Sequence, residues 1–409
     1  MNSLFKINVA VLVVICCWTT IFADTPSTMK FLAEGKLQQG ITELQSHLKQ
    51  TPTDDNARLG LGITQFLHGI ERMIQSFHQY GLHPGRNQIP FLRLPTPDNP
   101  NPKSISYTQL RQVFAQLLAD LQQAEKTLSE IKGDVKLPIF VGKIRLDLNG
   151  DGKADPDETF WKIYARMNRQ AEVQPEVAEG YQISFDTADA LWLRGYCHLL
   201  MAFDEFILAH DWKESFERTA QLFFPKVDTP HKYLLIETGR RDFIGDTGQI
   251  ADVIAFIHLW RFPIAEKERM HNVREHLLAM IDLSRQTWKA IAAETDDDHE
   301  WLPSPKQTSV IPGIHVTDEM IAGWGDFLNE AESLLNGKLL MPHWRLLPGK
   351  GINFKKVFEE PQMFDLVLWI QGTAATPFVE AGPITKPETW ERFDRIFRGE
   401  FIGFAIWFN

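Results

Sequence analysis

The sequence predicts a mainly α-helical fold. Three observations carry this. Apolar residues recur at three- and four-residue spacing through most of the chain. Several of these runs open on Asp or Ser and close on Gly or Pro, as helices do. Period-two alternation is confined to one short stretch around residues 141–146.

In chain order, residues 1–23 read as a secretory signal. Lys6 gives a positive start, Ile7 to Cys17 is mostly apolar, and Ala23 is a small residue before Asp24. The apolar run is short for a membrane span, so no transmembrane span is expected once the signal is cleaved; an uncleaved anchor is the alternative. A lipoprotein signal at Cys16-Cys17 lacks the small residue that should precede the modified Cys. Cleavage leaves a single thiol, Cys197, so the exported chain, periplasmic or extracellular, would hold itself together without an internal disulfide.

Residues 24–82 read as helix–turn–helix. Phe31, Gly35, Gly40, Ile41, Leu44, Leu48 and Pro52 precede a second run that begins at Ala57. The spacing resembles one and a half tetratricopeptide repeats, without the early Trp and with Gly40 where Ala is usual. That resemblance implies a surface for a protein partner. An ordinary αα-hairpin accounts for the segment equally well. Residues 83–104, with six prolines between Pro84 and Pro102, read as a linker.

Residues 105–169 carry a helix from Tyr107 to Ile131, closed by Gly133, and then the most informative stretch of the chain. In Asp147-Leu-Asn-Gly-Asp-Gly-Lys-Ala-Asp-Pro-Asp-Glu158, oxygen-bearing side chains stand at positions 1, 3, 5, 9 and 12, with Gly152 at position 6. A hard divalent cation needs six to eight oxygens, and a twelve-residue loop can supply them from such positions. The stretch resembles an EF-hand calcium loop at every ligand position. The resemblance implies one Ca²⁺ held by Asp147, Asn149, Asp151, the Lys153 carbonyl, Asp155 and Glu158. It departs from the family in two ways. The entering segment Val141–Leu146 alternates like a strand, and position 8 is Ala154 rather than a branched aliphatic. No second loop occurs, so a single structural site of strand–loop–helix style is expected, with the exiting helix starting at Pro156. An Asn/Asp/Gly-rich turn without metal explains part of the pattern but not Asp147 and Asp151 in register with the rest.

Residues 170–409 read as an α-helical domain. A helix over 186–212 presents Ala188, Trp192, Tyr196, Leu199, Phe203 and Phe206 on one stripe. The next opens at Asp246 with Gln249 three residues on and stops before Pro263. A long one runs from Ala265 to Ala293, with Asp296-Asp297-Asp298 after it as a solvated loop. Residues 318–336 close on Gly337. The apolar stretches Phe364–Gln371 and Phe401–Asn409 are expected in the core.

The net charge of -11, with no basic stripe, argues against a nucleic-acid partner. The common nucleophile, phosphate and zinc-protease signatures are absent. One enzyme reading survives: among His198, Asp204, Glu205, His210 and Asp211, the pair His198 and Glu205 share a helix face. With His258 from a neighbouring helix they could form a metal or acid–base site of a helical envelope hydrolase. Satisfied interhelical hydrogen bonding is the commoner use of such residues. His343, Trp344 and Arg345, beside the Gly349-Lys-Gly351 turn, read as a loop with a cation–π or surface role. The expectation is therefore an exported calcium-binding helical protein, with a binding or scaffold role in the cell envelope.

Overall fold

A computed structural model describes residues 27–82, 94–163, 175–236, 247–310, 315–397 and 405. The signal segment, Asp246 and most of the C-terminal tail lie outside the described residues. The protein is mainly helical, with three two-stranded antiparallel pairs of short strands among the described residues.

The N-terminal part forms three helices, α1 (Thr28–Glu34), α2 (Leu37–Gln50) and α3 (Asp55–Tyr80). The expected first helix is broken at Gly35, whose φ of 65° ends α1 in a left-handed cap. Helices α2 and α3 are joined as a hairpin by Asp54. It accepts the Ala57 N–H at 2.9 Å as N-cap and meets His47 Nε2 at 2.8 Å. Gly40 sits where a methyl group would press on the Phe31 ring, which accounts for the missing Ala.

Residues 94–104 have no regular structure but are tied to the end of α3. The Asn99 amide donates to the His78 carbonyl, and the Lys103 N–H to that of Gln79. Helix α4 (Tyr107–Ser129) opens on a Ser106–Gln109 capping box and ends two residues before the expected Ile131. The Lys132 and Gly133 N–H groups turn instead to the Asp55 carboxylate.

The strand expected at Val141–Leu146 lies upstream. Strand β1 (Lys136–Phe140) pairs antiparallel with β2 (Gln182–Asp186), Lys136 opposite Asp186, and Val141–Lys143 is a 3₁₀ turn. The alternation was nonetheless real: Ile144, Leu146 and Leu148 point into the core, joined by Leu32 of α1, Leu59, Ile63 and Ile74 of α3 and Ile139 of β1. What sequence could not show was that this stretch is bridged to Thr159 only at Arg145.

After a short α5 (Pro175–Glu179) comes α6 (Thr187–Ala209), which lies between α4 and the long α9 (Lys267–Ala293). This position corrects the single-stripe expectation. A helix covered on two sides buries Asp189, Cys197, Asp204 and Glu205 as well as apolar residues, while Phe203 of the expected stripe is 58% exposed. Cys197 is fully buried and its thiol is pushed far above its ordinary range by that burial.

Helices α7 (Lys213–Thr219) and α8 (Thr247–His258) pack on each other. Helix α8 ends well before Pro263 because Arg261–Phe262, strand β3, leaves to pair with β5 (Phe364–Asp365). Helix α10 (Asp318–Leu335), capped by Thr317 and followed by Gly337 at φ 68°, stands against α9 around Trp324. Ser284 of α9 accepts the Trp324 indole N–H at 2.9 Å.

Strand β4 (Lys350–Ile352) pairs with β6 (Val379–Ala381), with α11 (Phe354–Glu359) and α12 (Leu366–Gln371) between them in the chain. Burial of Phe364–Gln371 does not hold: Val367, Leu368 and Ile370 of α12 are exposed. Helix α13 (Pro387–Ile396) closes the second core with Phe393, and Ala405 packs against the same cluster. Among the described residues no helix is long and apolar enough to cross a membrane.

Candidate metal centre

The loop 147–158 is closed at its neck. The Leu146 N–H donates to the Glu158 carbonyl at 3.2 Å and the Phe160 N–H to the Ile144 carbonyl at 2.8 Å, with Arg145 opposite Thr159. Inside the neck the side chains at alternate positions each hold a backbone N–H further along. Asp147 Oδ1 accepts from Gly150 at 2.7 Å, and its Oδ2 accepts from Gly152 at 2.9 Å. Asn149 Oδ1 accepts from Asp151 at 2.7 Å, and Asp151 Oδ1 from Lys153 at 2.8 Å. Successive side-chain turns of this kind wind the chain around its first carboxylate. The winding requires φ of 84° at Gly152, where any other residue is strained.

The far end is a capping box. The Glu158 N–H donates to Asp155, and Glu158 Oε2 accepts the Asp155 N–H at 2.9 Å. Glu158 is 6% exposed and its Oε1 takes the Leu148 N–H at 2.9 Å. Burial pushes the Glu158 carboxyl above its ordinary range. The hydrogen bonds from Asp155 and Leu148 act against that, and the Asp147 charge adds to it. The exiting helix begins later than expected: Pro156–Glu158 is a 3₁₀ turn, Thr159 is bridged to Arg145, and α-helical backbone starts at Phe160.

Two helices hold the loop where a second loop would be expected in a paired site. The Asp147 N–H donates to Glu71 Oε1 and its carbonyl accepts from Gln75 Nε2, both at 2.7 Å. The Arg145 N–H donates to the Leu32 carbonyl at the end of α1, and Ala154, the unusual position 8, sits against Gly35.

Beside the loop a groove of about 440 Å³ runs between α3 and α4, with Asn149 and Gly150 in its wall along with Arg72, Gln79, Asn101 and Asp120. It does not reach His198, Glu205 or His258.

Those three residues do not meet. His198 Nδ1 lies 2.9 Å from His276 Nδ1, and its Nε2 is 3.7 Å from Glu125, which also takes Arg194 at 3.0 Å. Burial alone would raise the Glu125 carboxyl, but His198 and Arg194 bring it below its ordinary range. Burial, with the His198 charge, lowers His276. Glu205 is held by Arg269 at 2.7 Å and Asn272 at 3.2 Å. His258 is exposed on α8, which packs on α7 and α12. The cause is the two-sided cover of α6: its polar face met the polar face of α9 rather than an open cleft.

Asp204 is the exception in that seam. Its Oδ2 is buried with no hydrogen-bond partner, and burial, with Glu205 beside it, pushes the carboxyl up to about 8. His210 and Asp211 are bound into packing through the Phe206 carbonyl and the Tyr107 hydroxyl. In the 343–345 loop, Arg345 lies 3.9 Å from the Trp344 ring centroid and His343 stacks on the same ring at 5.7 Å between centroids.

One constellation carried no sequence signal. Asp186, Glu294 and Glu300 bring carboxylate oxygens within 4.8 Å of one another, the one such group of three among the described residues; the loop acids do not. Asp186 is the N-cap of α6 and Glu294 the C-cap of α9, while His299 at φ 62° turns the chain ahead of Glu300. Burial pushes Glu294 up to about 8 and raises Glu300. Nearby, Asp296 and Asp298 are tied to Lys136. Glu294 and Glu300 are six residues apart, but Asp186 comes from more than a hundred residues upstream, which no spacing rule would join to them.

No family model, no curated protein and no solved structure matches the chain.

Proposed function

We propose that the chain is an exported calcium-binding helical protein with one structural ion in the 147–158 loop, serving as a binding or scaffold protein of the cell envelope. The ligands are Asp147, Asn149, Asp151, the Lys153 carbonyl, Asp155 and Glu158. The observation that carries this is the run of backbone turns at Asp147, Asn149 and Asp151, which sets three oxygen-bearing side chains at alternate positions around one winding. Asp147 Oδ1 takes two N–H groups, but Asp147 Oδ2, Asn149 Oδ1 and Asp151 Oδ1 each take one and keep a second lone pair for a cation. The ion would offset the repulsion among the four carboxylate ligands of the loop, Glu158 above all, whose burial penalises its charge. It would also fasten α1 and α3 to the neck of the loop. Export rests on the 1–23 segment, and the α2–α3 hairpin is the surface offered to a protein partner.

The test is thermal melting with Ca²⁺ and with EGTA, alongside calorimetric titration. A site filled a hundredfold above its Kd stabilises by about 2.7 kcal/mol. For a chain of this size that is a shift of a few degrees, about 2–4 °C per kcal/mol or less. Identical melting in both conditions, with no heat of binding, ends the reading.

A further inference from the structure

Outside the loop, the described residues include an exposed apolar face. Helix α8 is amphipathic the wrong way round. Ile250, Val253, Ile254 and Ile257, at one-turn spacing, are 46–61% exposed, while Phe256 of the other side packs on Phe223 of the neighbouring turn. Helix α12 packs against α8 and extends the face with Val367 and Ile370, the latter 66% exposed. Trp344, 70% exposed, is attached to it by its indole, which reaches the Ile370 carbonyl at 3.4 Å. Contiguous apolar surface of this kind marks an interaction site.

Charge identifies the occupant. Around this face stand three exposed cations, Arg261, Arg345 and Lys350, and none forms an ion pair with a carboxylate among the described residues. The stretches 247–262, 341–352 and 361–371 contain two acids, Asp252 and Asp365. Asp365 caps α12 by accepting the Leu368 N–H at 2.9 Å and stands opposite Arg261 in the β3–β5 pair, and Asp252 lies on the side of α8 away from the isoleucine stripe. In a chain of net charge -11, this is a cation-rimmed apolar patch. A Trp under an Arg at the edge of an aliphatic stripe suits the boundary between lipid headgroups and acyl chains. A second copy of the chain would set the same three cations against one another across a two-fold contact.

We infer that the α8–α12 face, with Trp344 and its rim of Arg261, Arg345 and Lys350, lies on an anionic phospholipid surface. The aliphatic side chains enter the headgroup boundary and the cations meet lipid phosphates. The face lies on the surface and does not span it.

The experiment is co-sedimentation of the full chain with phosphatidylcholine vesicles with and without phosphatidylglycerol. Three proteins are compared: the natural sequence, Ile254→Asp/Ile370→Asp, and Arg345→Glu/Lys350→Glu. All four positions are exposed, and unchanged melting confirms folding. The expected result is binding at least tenfold stronger with phosphatidylglycerol. The aspartate pair should lower it tenfold or more, and the charge-reversed pair should remove the preference for anionic lipid. Equal binding by all three proteins would overturn the inference and assign the affinity to another part of the chain. A dimer in sedimentation velocity that the aspartate pair dissolves, without vesicle binding by the natural sequence, would overturn it in favour of a second copy.

Discussion

Glu71, in the middle of α3, accepts the N–H of Asp147 at 2.7 Å, so the first residue of the candidate calcium loop is fixed by a helix that contributes no ligand. Glu71 is itself nearly buried and has His68 at 3.1 Å. Truncating it leaves the Asp147 N–H without that acceptor and lets the head of the loop move. Glu71→Ala is expected to weaken Ca²⁺ binding about tenfold or more, in line with the loss of about 1.5–3 kcal/mol for a hydrogen bond to a charged group. Glu71→Gln keeps a carbonyl oxygen in place and should lose much less. Calorimetric titration of the two variants separates positioning from charge, and equal loss in both would point to charge.

Gly35 supplies the second fixture. Its left-handed φ of 65° is costly for any other residue, and a Cβ there would overlap that of Ala154. Gly35→Ala is expected to destabilise by about 2–4 kcal/mol, from about 1–2 for the backbone and a comparable amount for overpacking. Adding Ala154→Gly removes the overlap but not the backbone strain, so about half should return. Chemical denaturation of the two single variants and the double variant reads the coupling directly, and strict additivity would show that the two residues do not touch.

Much of the turn geometry of the 147–158 loop was legible in the sequence, and the reasons are local. Asp147, Asn149, Asp151, Gly152 and Glu158 lie within twelve residues, where spacing alone fixes the turn chemistry. The long helices were legible for the same reason: of the helically spaced Met270, Val273, Leu277, Met280, Ser284, Trp288 and Ile291 on α9, all are buried except Leu277 and Met280, which are partly so. What failed depended on distant partners. His198 met His276 instead of His258 because helix pairing is set by which faces are covered, not by spacing. The Asp186, Glu294 and Glu300 group was invisible because it assembles from two helix ends and a loop. The exposure of Ile370 was missed because composition reports how apolar a segment is and not which way it faces.

A buried carboxyl, Asp204, and a half-buried one, Glu294, set a pH dependence. Asp204 and Glu294 are both pushed up to about 8, from 3.8 and 4.5, with burial as the main cause. A raised carboxyl means that the folded state holds its proton more tightly than the unfolded one. The contribution is complete below the ordinary carboxylate range and is lost as pH rises through about 8. The melting temperature should therefore fall between pH 5 and pH 8.5. Asp204→Asn should melt near the natural protein at pH 5 and above it at pH 8.5, and Glu294→Gln should do the same independently. The lowered carboxyls, such as Asp55 and Glu125, act in the opposite sense and only as pH falls into the acid range. A flat profile from pH 5 to 8.5 would show that these sites reach water.

Two arginines of α9 reach α10: Arg285 binds Asn329 and Glu332 along the exposed side, and Arg274 binds the helix end. Arg274 of α9 is mostly buried, and its Nε donates to the Leu335 carbonyl and its Nη2 to Asn336 Oδ1, both at 2.7 Å. These acceptors stand at the last turn of α10, where carbonyls lack intrahelical partners and the helix end is electronegative. One guanidinium thus satisfies an orphan carbonyl, fixes the Asn336 cap and places positive charge where the helix favours it. Arg274→Ala should cost about 2–4 kcal/mol, combining a charge-assisted hydrogen bond and the desolvated acceptor left behind. Arg274→Lys should recover less than half, since an ammonium cannot serve both acceptors with the planar fork. The denaturation midpoint gives both costs, and full recovery with Lys would show that charge at the helix end, and not the two directed bonds, holds α10 in place.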